Sequence, residues 1–327
     1  MKIKISYENT ILIKILFLEK NLNESYFKNL DFERFVKISS SQLMLPALFV
    51  NLKKKKYLKF IPEDLSIYLK EIYQINSNKN IVLLEEIKIL EKELGGNYIP
   101  FLFIKGAANI KSELYFDNGE RMLGDIDFLI SEKNSNKCGE ILTKNLNYKF
   151  SKIQTKYWKK RHLPRLTGKD KIHAVEVHTN ITDYKLLNFN FNDDFIKFQD
   201  DLKIMAKITI LNFQLNDYGH FKAIYSLKSI YDVVQIMKKQ RISISENKYT
   251  KRFFLISNLL GITKLKINEN WLDRIYMKRF ILKNNYKFIS VIDNFICDII
   301  IITKKRILQL IEFLFNNEYR LYLIKKI

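Results

Sequence analysis

Helix-breaking residues are rare in this chain, and their rarity limits the architectures open to it. Only four prolines and nine glycines occur in 327 residues, too few for the frequent tight turns of a β-sandwich or barrel. Long helices are the expectation, with any sheet confined to a short region. The length suffices for two or three modest domains. The apolar fraction of 47% is ordinary for a folded protein and argues against a disordered one.

Residues 1–60 carry mixed helical periodicity. Pro62-Glu63-Asp64 has the form of a helix start, with proline in the first turn and acids at the positive helix end. Leu65, Leu69 and Ile72 continue it, and Leu83, Leu84, Ile87, Leu90 and Leu94 repeat at helical spacing up to Gly95-Gly96. The polar stretch from Asn76 to Asn80 reads as a break or a frayed turn within it. At Ile99 the pattern changes. Ile99-Pro-Phe-Leu-Phe-Ile104 suits a short buried strand. Ala107 to Tyr115 reads as a helix, Asp117-Asn118-Gly119 as a turn, and Asn134 to Leu146 as a second helix before a short strand at Tyr148 to Phe150. Ile172 to His178 alternates as a strand. From about residue 190 the chain reads as helical again, ending in one or two amphipathic helices after Val291.

Between these elements lies Gly124-Asp-Ile-Asp-Phe-Leu-Ile130. Side chains alternate along a strand, so Asp125 and Asp127 share one face while Ile126, Phe128 and Ile130 point into the core. Two like charges this close repel, and a divalent cation with oxygen ligands compensates them best. The same alternation on the later strand puts Val175 and Val177 in the core and Ala174, Glu176 and His178 on the other face. Glu176 is thereby a candidate third ligand, or the base for an attacking hydroxyl. Lys105-Gly106, between a strand and a helix N-terminus, is a candidate phosphate site: glycine admits close approach to unpaired backbone N–H groups.

The net charge of +21 admits an anionic partner: nucleotide phosphates, nucleic acid or an anionic membrane surface. The lysines are spread along the chain, however, and most of this charge reads as compositional. Cys138 and Cys297 lie far apart, which argues against a disulfide framework or a zinc site. No signal peptide is expected, because Lys14 interrupts the apolar stretch from Ile11 to Leu18. No membrane span is expected either, and a reducing cytoplasm is the default.

Taken together, Lys105-Gly106-Ala-Ala-Asn-Ile110, Leu114-Tyr115, Arg121, Gly124-Asp-Ile-Asp-Phe-Leu-Ile130 and Val175-Glu-Val-His178 resemble the polymerase β-type nucleotidyltransferase superfamily. Within it the chain is most similar to the bacterial family of uncharacterised nucleotidyltransferases. The motifs span roughly residues 99–180. The resemblance implies an α+β fold: a small mixed β-sheet nucleotidyltransferase core at residues 98–185, flanked by helical regions at 1–97 and 186–327. It implies Mg²⁺- or Mn²⁺-dependent transfer of a nucleoside monophosphate from a nucleoside triphosphate such as ATP to an acceptor hydroxyl. The acceptor, whether small molecule, protein or nucleic acid, is not readable. Asp125 and Asp127 match the metal-binding pair, Glu176 the third carboxylate and Gly106 the phosphate-loop glycine. The chain departs from the pattern at Ala107, where many members carry serine or a second glycine. Phosphate contact then falls to backbone N–H groups, Lys105 or Arg121.

Arg121 offers the fork that suits phosphate, with pairing to the aspartates as the alternative, and His178 is a candidate for orienting the acceptor or Glu176, with a buried structural histidine as the alternative. His162 and His173 are expected to be structural. Tyr157, Trp158, Arg161 and Arg165 read as a loop packed by its aromatics, with base stacking as the alternative. Tyr231 and Asp232 read as packing and a solvated or capping charge. Two rival readings remain at this level. One is a non-catalytic nucleic-acid- or protein-binding module on the same fold. The other is γ-phosphoryl transfer by the same carboxylates.

Overall fold

In a computed structural model, which describes residues 2–18, 22–152, 161–182, 201–240 and 247–325, the chain opens with helices α1 (Tyr7–Phe17), α2 (Ser25–Lys28), α3 (Phe32–Ser41) and α4 (Leu45–Lys54). Ser6 and Asp31 cap α1 and α3 by accepting from backbone N–H groups of the first turn. Helix α5 (Glu63–Gly96) starts just after Pro62, as its sequence predicts. It runs unbroken through the polar stretch, because Asn76 and Asn80 are buried and bonded rather than frayed. Four residues apart, they share one helix face. Asn76 Nδ2 donates to the carbonyls of Gly119 (2.8 Å) and Arg121 (3.0 Å), and Asn80 Nδ2 to those of Asn118 (2.6 Å) and Arg121 (2.8 Å). The turn leading into the aspartate strand is thus fastened to α5.

The middle of the chain forms β1 (Phe101–Phe103), α6 (Lys105–Lys111), β2 (Asp125–Ile130), α7 (Ser135–Lys144), β3 (Lys149–Phe150), β4 (Leu166–Thr167) and β5 (Ala174–His178). The strands make one mixed sheet in the order β1-β2-β5-β4-β3. β2 runs antiparallel to β1 and parallel to β5, in a register that sets Asp127 beside Glu176. Ile126, Phe128, Ile130, Val175 and Val177 are fully buried beneath the sheet. They join a continuous apolar cluster that also takes in Ile11 and Phe35 from the N-terminal helices and Phe254 and Phe280 from the C-terminal ones. The architecture is the expected α+β core with helical flanks.

The remaining helices are α8 (Leu202–Leu211), α9 (Gly219–Lys222), α10 (Leu227–Lys239), α11 (Lys248–Leu259), α12 (Trp271–Asn285), α13 (Lys287–Phe315) and α14 (Asn317–Ile324). A π-helical turn, Asn212–Asn216, extends α8. The sequence reads as helical from about residue 190; within that stretch the chain breaks at Ala223, which adopts φ of 46°. Among the described residues no single helix is long and apolar enough to cross a membrane.

Candidate active site

The upper face of β2 and β5 carries the site. Asp125 and Asp127 project together from β2, with Glu176 and His178 beside them on β5. Each aspartate has a cation of the protein's own. Lys105 Nζ donates to Asp127 Oδ1 at 2.6 Å, and Arg165 pairs with Asp125. His178 Nε2 also meets Asp127 Oδ1 at 2.8 Å and lies 3.6 Å from a Glu176 oxygen. The imidazole is fully buried, and its Nδ1 has no hydrogen-bond partner among the described residues.

These contacts set the charge states. Burial pushes the Asp127 carboxyl up, but the His178 hydrogen bond and the Lys105 ammonium outweigh it and hold the group well below the usual carboxylate range. The His178 hydrogen bond likewise lowers Glu176. Burial raises Asp125 despite the Arg165 pair, with Glu176 and Asp127 adding to the rise. The face therefore holds two carboxylates kept anionic and one that takes a proton more readily.

Lys105 follows β1 with φ of 57°. A non-glycine residue in this region costs about 1–3 kcal/mol, and such residues concentrate at functional sites. The twist accompanies an ammonium seated on Asp127. The next residue is glycine for lack of room: a Cβ on Gly106 would lie 2.0 Å from Leu123 Cδ2.

Lys105, Gly106, Arg121, Asp125, Asp127 and Glu176 all line one cleft of about 280 Å³, and His178 closes in behind Asp127. Arg121 stands in the wall but is occupied. Its Nε and Nη2 reach the two oxygens of Asp232 at 2.8 and 2.9 Å, and both residues are buried. Burial works against the guanidinium charge, and Asp232 more than offsets it. Asp232, expected as a solvated or capping charge, is 2% exposed and also accepts from the Tyr115 hydroxyl at 2.7 Å. Asp232 carried no local sign of this, because its partner lies 111 residues earlier.

Other lining residues had no signal in the sequence. Asp217, after the π-helical turn, and Lys228, near the start of α10, complete the far wall with Arg161. Burial raises Asp217 and lowers Lys228, with Arg121 adding to the lowering of Lys228. Arg165, read as part of a packed loop, is instead the counter-ion of Asp125. Tyr157 and Trp158 lie outside the described residues. His173 is structural, bonded to buried Glu86 at 2.9 Å. His162 pairs by backbone with His178, and their rings lie 5.3 Å apart, nearer the site than expected.

No curated protein and no solved structure matches the chain. A family model described as "Uncharacterised nucleotidyltransferase" matches residues 28–245, a span that includes every residue of the carboxylate face. That match extends over more than half of the chain, and the chain belongs to the family of uncharacterised nucleotidyltransferases.

Proposed function

We propose that this chain is a metal-dependent nucleotidyltransferase that moves a nucleoside monophosphate from a nucleoside triphosphate to an acceptor hydroxyl and releases pyrophosphate. The observation that carries the reading is the shared face of β2 and β5, where Asp125, Asp127 and Glu176 converge on a cleft rimmed by Lys105, Arg161 and Lys228. In this reading residues 98–185 are the catalytic core. Residues 1–97 and 186–327 flank it, contributing the Asn76–Asn80 clamp and the Lys228 wall.

The residues suit a divalent cation. Asp127, Glu176 and His178 present ligand atoms within 4.8 Å of one another, and the Lys105 ammonium already stands against Asp127 as a cation. Two carboxylates suit Mg²⁺ or Mn²⁺. His178, bonded to the same Asp127 oxygen, is placed to orient that carboxylate or to join it as a ligand. Asp125 adds a further oxygen once Arg165 lets go. When bound, the cation supplies electrostatic stabilisation of charge developing at the α-phosphate and makes the acceptor hydroxyl more acidic.

The protein's own groups do the rest. Lys105 and Arg165 exchange their aspartates for phosphate oxygens as substrate enters, so the cleft's charge is balanced both empty and loaded. Gly106 lines the cleft beside Lys105, where the phosphates enter. The acceptor oxygen bonds to the α-phosphorus, and the bond to the β-phosphate's bridging oxygen breaks, its electron pair leaving with pyrophosphate. The hydroxyl proton passes to a carboxylate of the same face.

The test uses nucleoside triphosphates labelled at the α or γ phosphate, with Mg²⁺ or Mn²⁺, against a cell extract and the protein itself. The expected outcome is incorporation of α-label that is lost in Asp127→Asn. Incorporation of γ-label alone would replace this reading with phosphoryl transfer, and no incorporation without metal-dependent nucleotide binding would replace it with a binding module.

A further inference from the structure

Helix α13 carries an anomaly that the nucleotidyltransferase reading does not use. It is 29 residues long, about 43 Å at 1.5 Å per residue. Only Cys297, Ile301 and Glu312 on it are buried. Phe288, Ile292, Phe295, Ile299, Leu310 and Leu314 are all exposed, Phe288 by 75% and Phe295 by 64%. At 100° per residue, the exposed apolar side chains sweep roughly 200° of the helix circumference, far wider than the two-position seam of a helix pair. Monomeric proteins rarely leave so large an apolar surface uncovered. The helix also lies beyond the residues matched by the family model.

The charges on α13 are sorted. Each of its acids has a partner within the protein, although Asp298 itself stays exposed. Asp293 is bonded by Arg279 and Lys283, Asp298 by Lys222, and Glu312 is fully buried against Asn316. Its cations, Lys287, Lys304, Lys305 and Arg306, are exposed. The outward surface is therefore apolar, with Lys287, Lys304 and Lys305 along its rim and Arg306 within it. A second copy laid against it would bring two such rims together, on chains that each carry +21. An anionic bilayer neutralises the rim and takes up the wide apolar arc, as it does for helices that lie in the membrane interface. Too charged to cross a bilayer, α13 is suited to lie on one.

We propose that the outward face of α13 docks the protein on an anionic lipid surface. The full chain is sedimented with vesicles of phosphatidylcholine alone or mixed with phosphatidylglycerol. Binding to the mixed vesicles is expected, weakening with added salt, with little binding to phosphatidylcholine. Ile299→Glu/Leu310→Glu places two charges on exposed positions and should cut partitioning about tenfold or more, with an unchanged thermal midpoint. Absence of binding, or equal binding to both vesicles at all salt concentrations, would overturn the proposal. So would a lipid-free dimer in light scattering that this double variant turns into a monomer, because the face would then join two copies.

Discussion

In the rear wall of the cleft, Arg121 and Asp232 meet through two hydrogen bonds, with side chains only 9% and 3% exposed. In front of it, Lys105 meets Asp127 through one bond at 19% and 11% exposure, and Arg165 meets Asp125 at 47% and 32%. Both sets join opposite charges beside the same strand, yet their surroundings differ. The rear pair is enclosed by further protein partners: Tyr115 on Asp232, the Met122 carbonyl on Arg121 and the Asn76–Asn80 clamp on the same turn. The front pairs have protein on one side and an open cleft on the other. Burial of a charge is therefore a poor guide to its role. A group that protein satisfies on all sides holds structure, and one that faces an open volume is able to change partner.

Four variants would break or sharpen this contrast. Asp127→Asn should have the largest effect on function: a loss of turnover on the order of 10³-fold or more, since the shared ligand and charge are gone. Steady-state kinetics alongside circular dichroism would check it. Retained turnover would remove the front set from the chemistry altogether.

Arg121→Met should act on stability instead. Removing one partner of a buried pair leaves Asp232 uncompensated and should cost about 3–5 kcal/mol in chemical denaturation. Arg121→Met/Asp232→Leu should recover much of that loss, and the folded double variant should keep its metal affinity. Loss of nucleotide binding with stability intact would instead move Arg121 to the front set.

Glu120 probes the rear network by pH. It is 3% exposed, accepts from Tyr231 at 2.8 Å, and burial pushes its carboxyl up to about 7. A carboxyl raised on folding stabilises the protein fully below its unfolded value, near 4.5. That contribution is lost as pH rises through 7. Glu120→Gln should match the native protein's stability near pH 5 and exceed it at pH 8 by up to on the order of 3 kcal/mol. Parallel stability curves across that window would contradict the assignment.

Lys105→Met should have the smallest effect and the most telling sign. It removes the ammonium that competes for Asp127, so Mn²⁺ should bind more tightly without nucleotide. The nucleotide KM should meanwhile rise about tenfold, a cost of roughly 1.4 kcal/mol. Paramagnetic resonance titration and kinetics report the two halves separately. Weaker Mn²⁺ binding would mean that Lys105 supports the cation site rather than standing in for it.

The site's placement follows how far each signal reaches along the chain. The alternation at Asp125 to Ile130 and at Ala174 to His178 was legible because strand facing depends on neighbours two residues apart. The same holds for the start of α5 after Pro62 and its end at Gly96. Asn76 and Asn80 were misread as a break, because polarity suggests solvent until a carbonyl from elsewhere in the chain arrives. Arg165 and Asp232 were misread for the same reason. Their partners, Asp125 and Arg121, lie 40 and 111 residues away.

By itself, then, the sequence determined which faces of β2 and β5 are apolar, which residue types meet on the other face, and that helices flank them. Those properties rest on local periodicity and on the scarcity of turn residues. Only the tertiary structure decided which cation sits on which carboxylate, that Arg121 is taken up by Asp232 in the cleft wall, and that α13 leaves its apolar arc uncovered. Ion pairing and solvent exposure depend on what packing brings within a few ångströms, and no spacing along the chain encodes that distance.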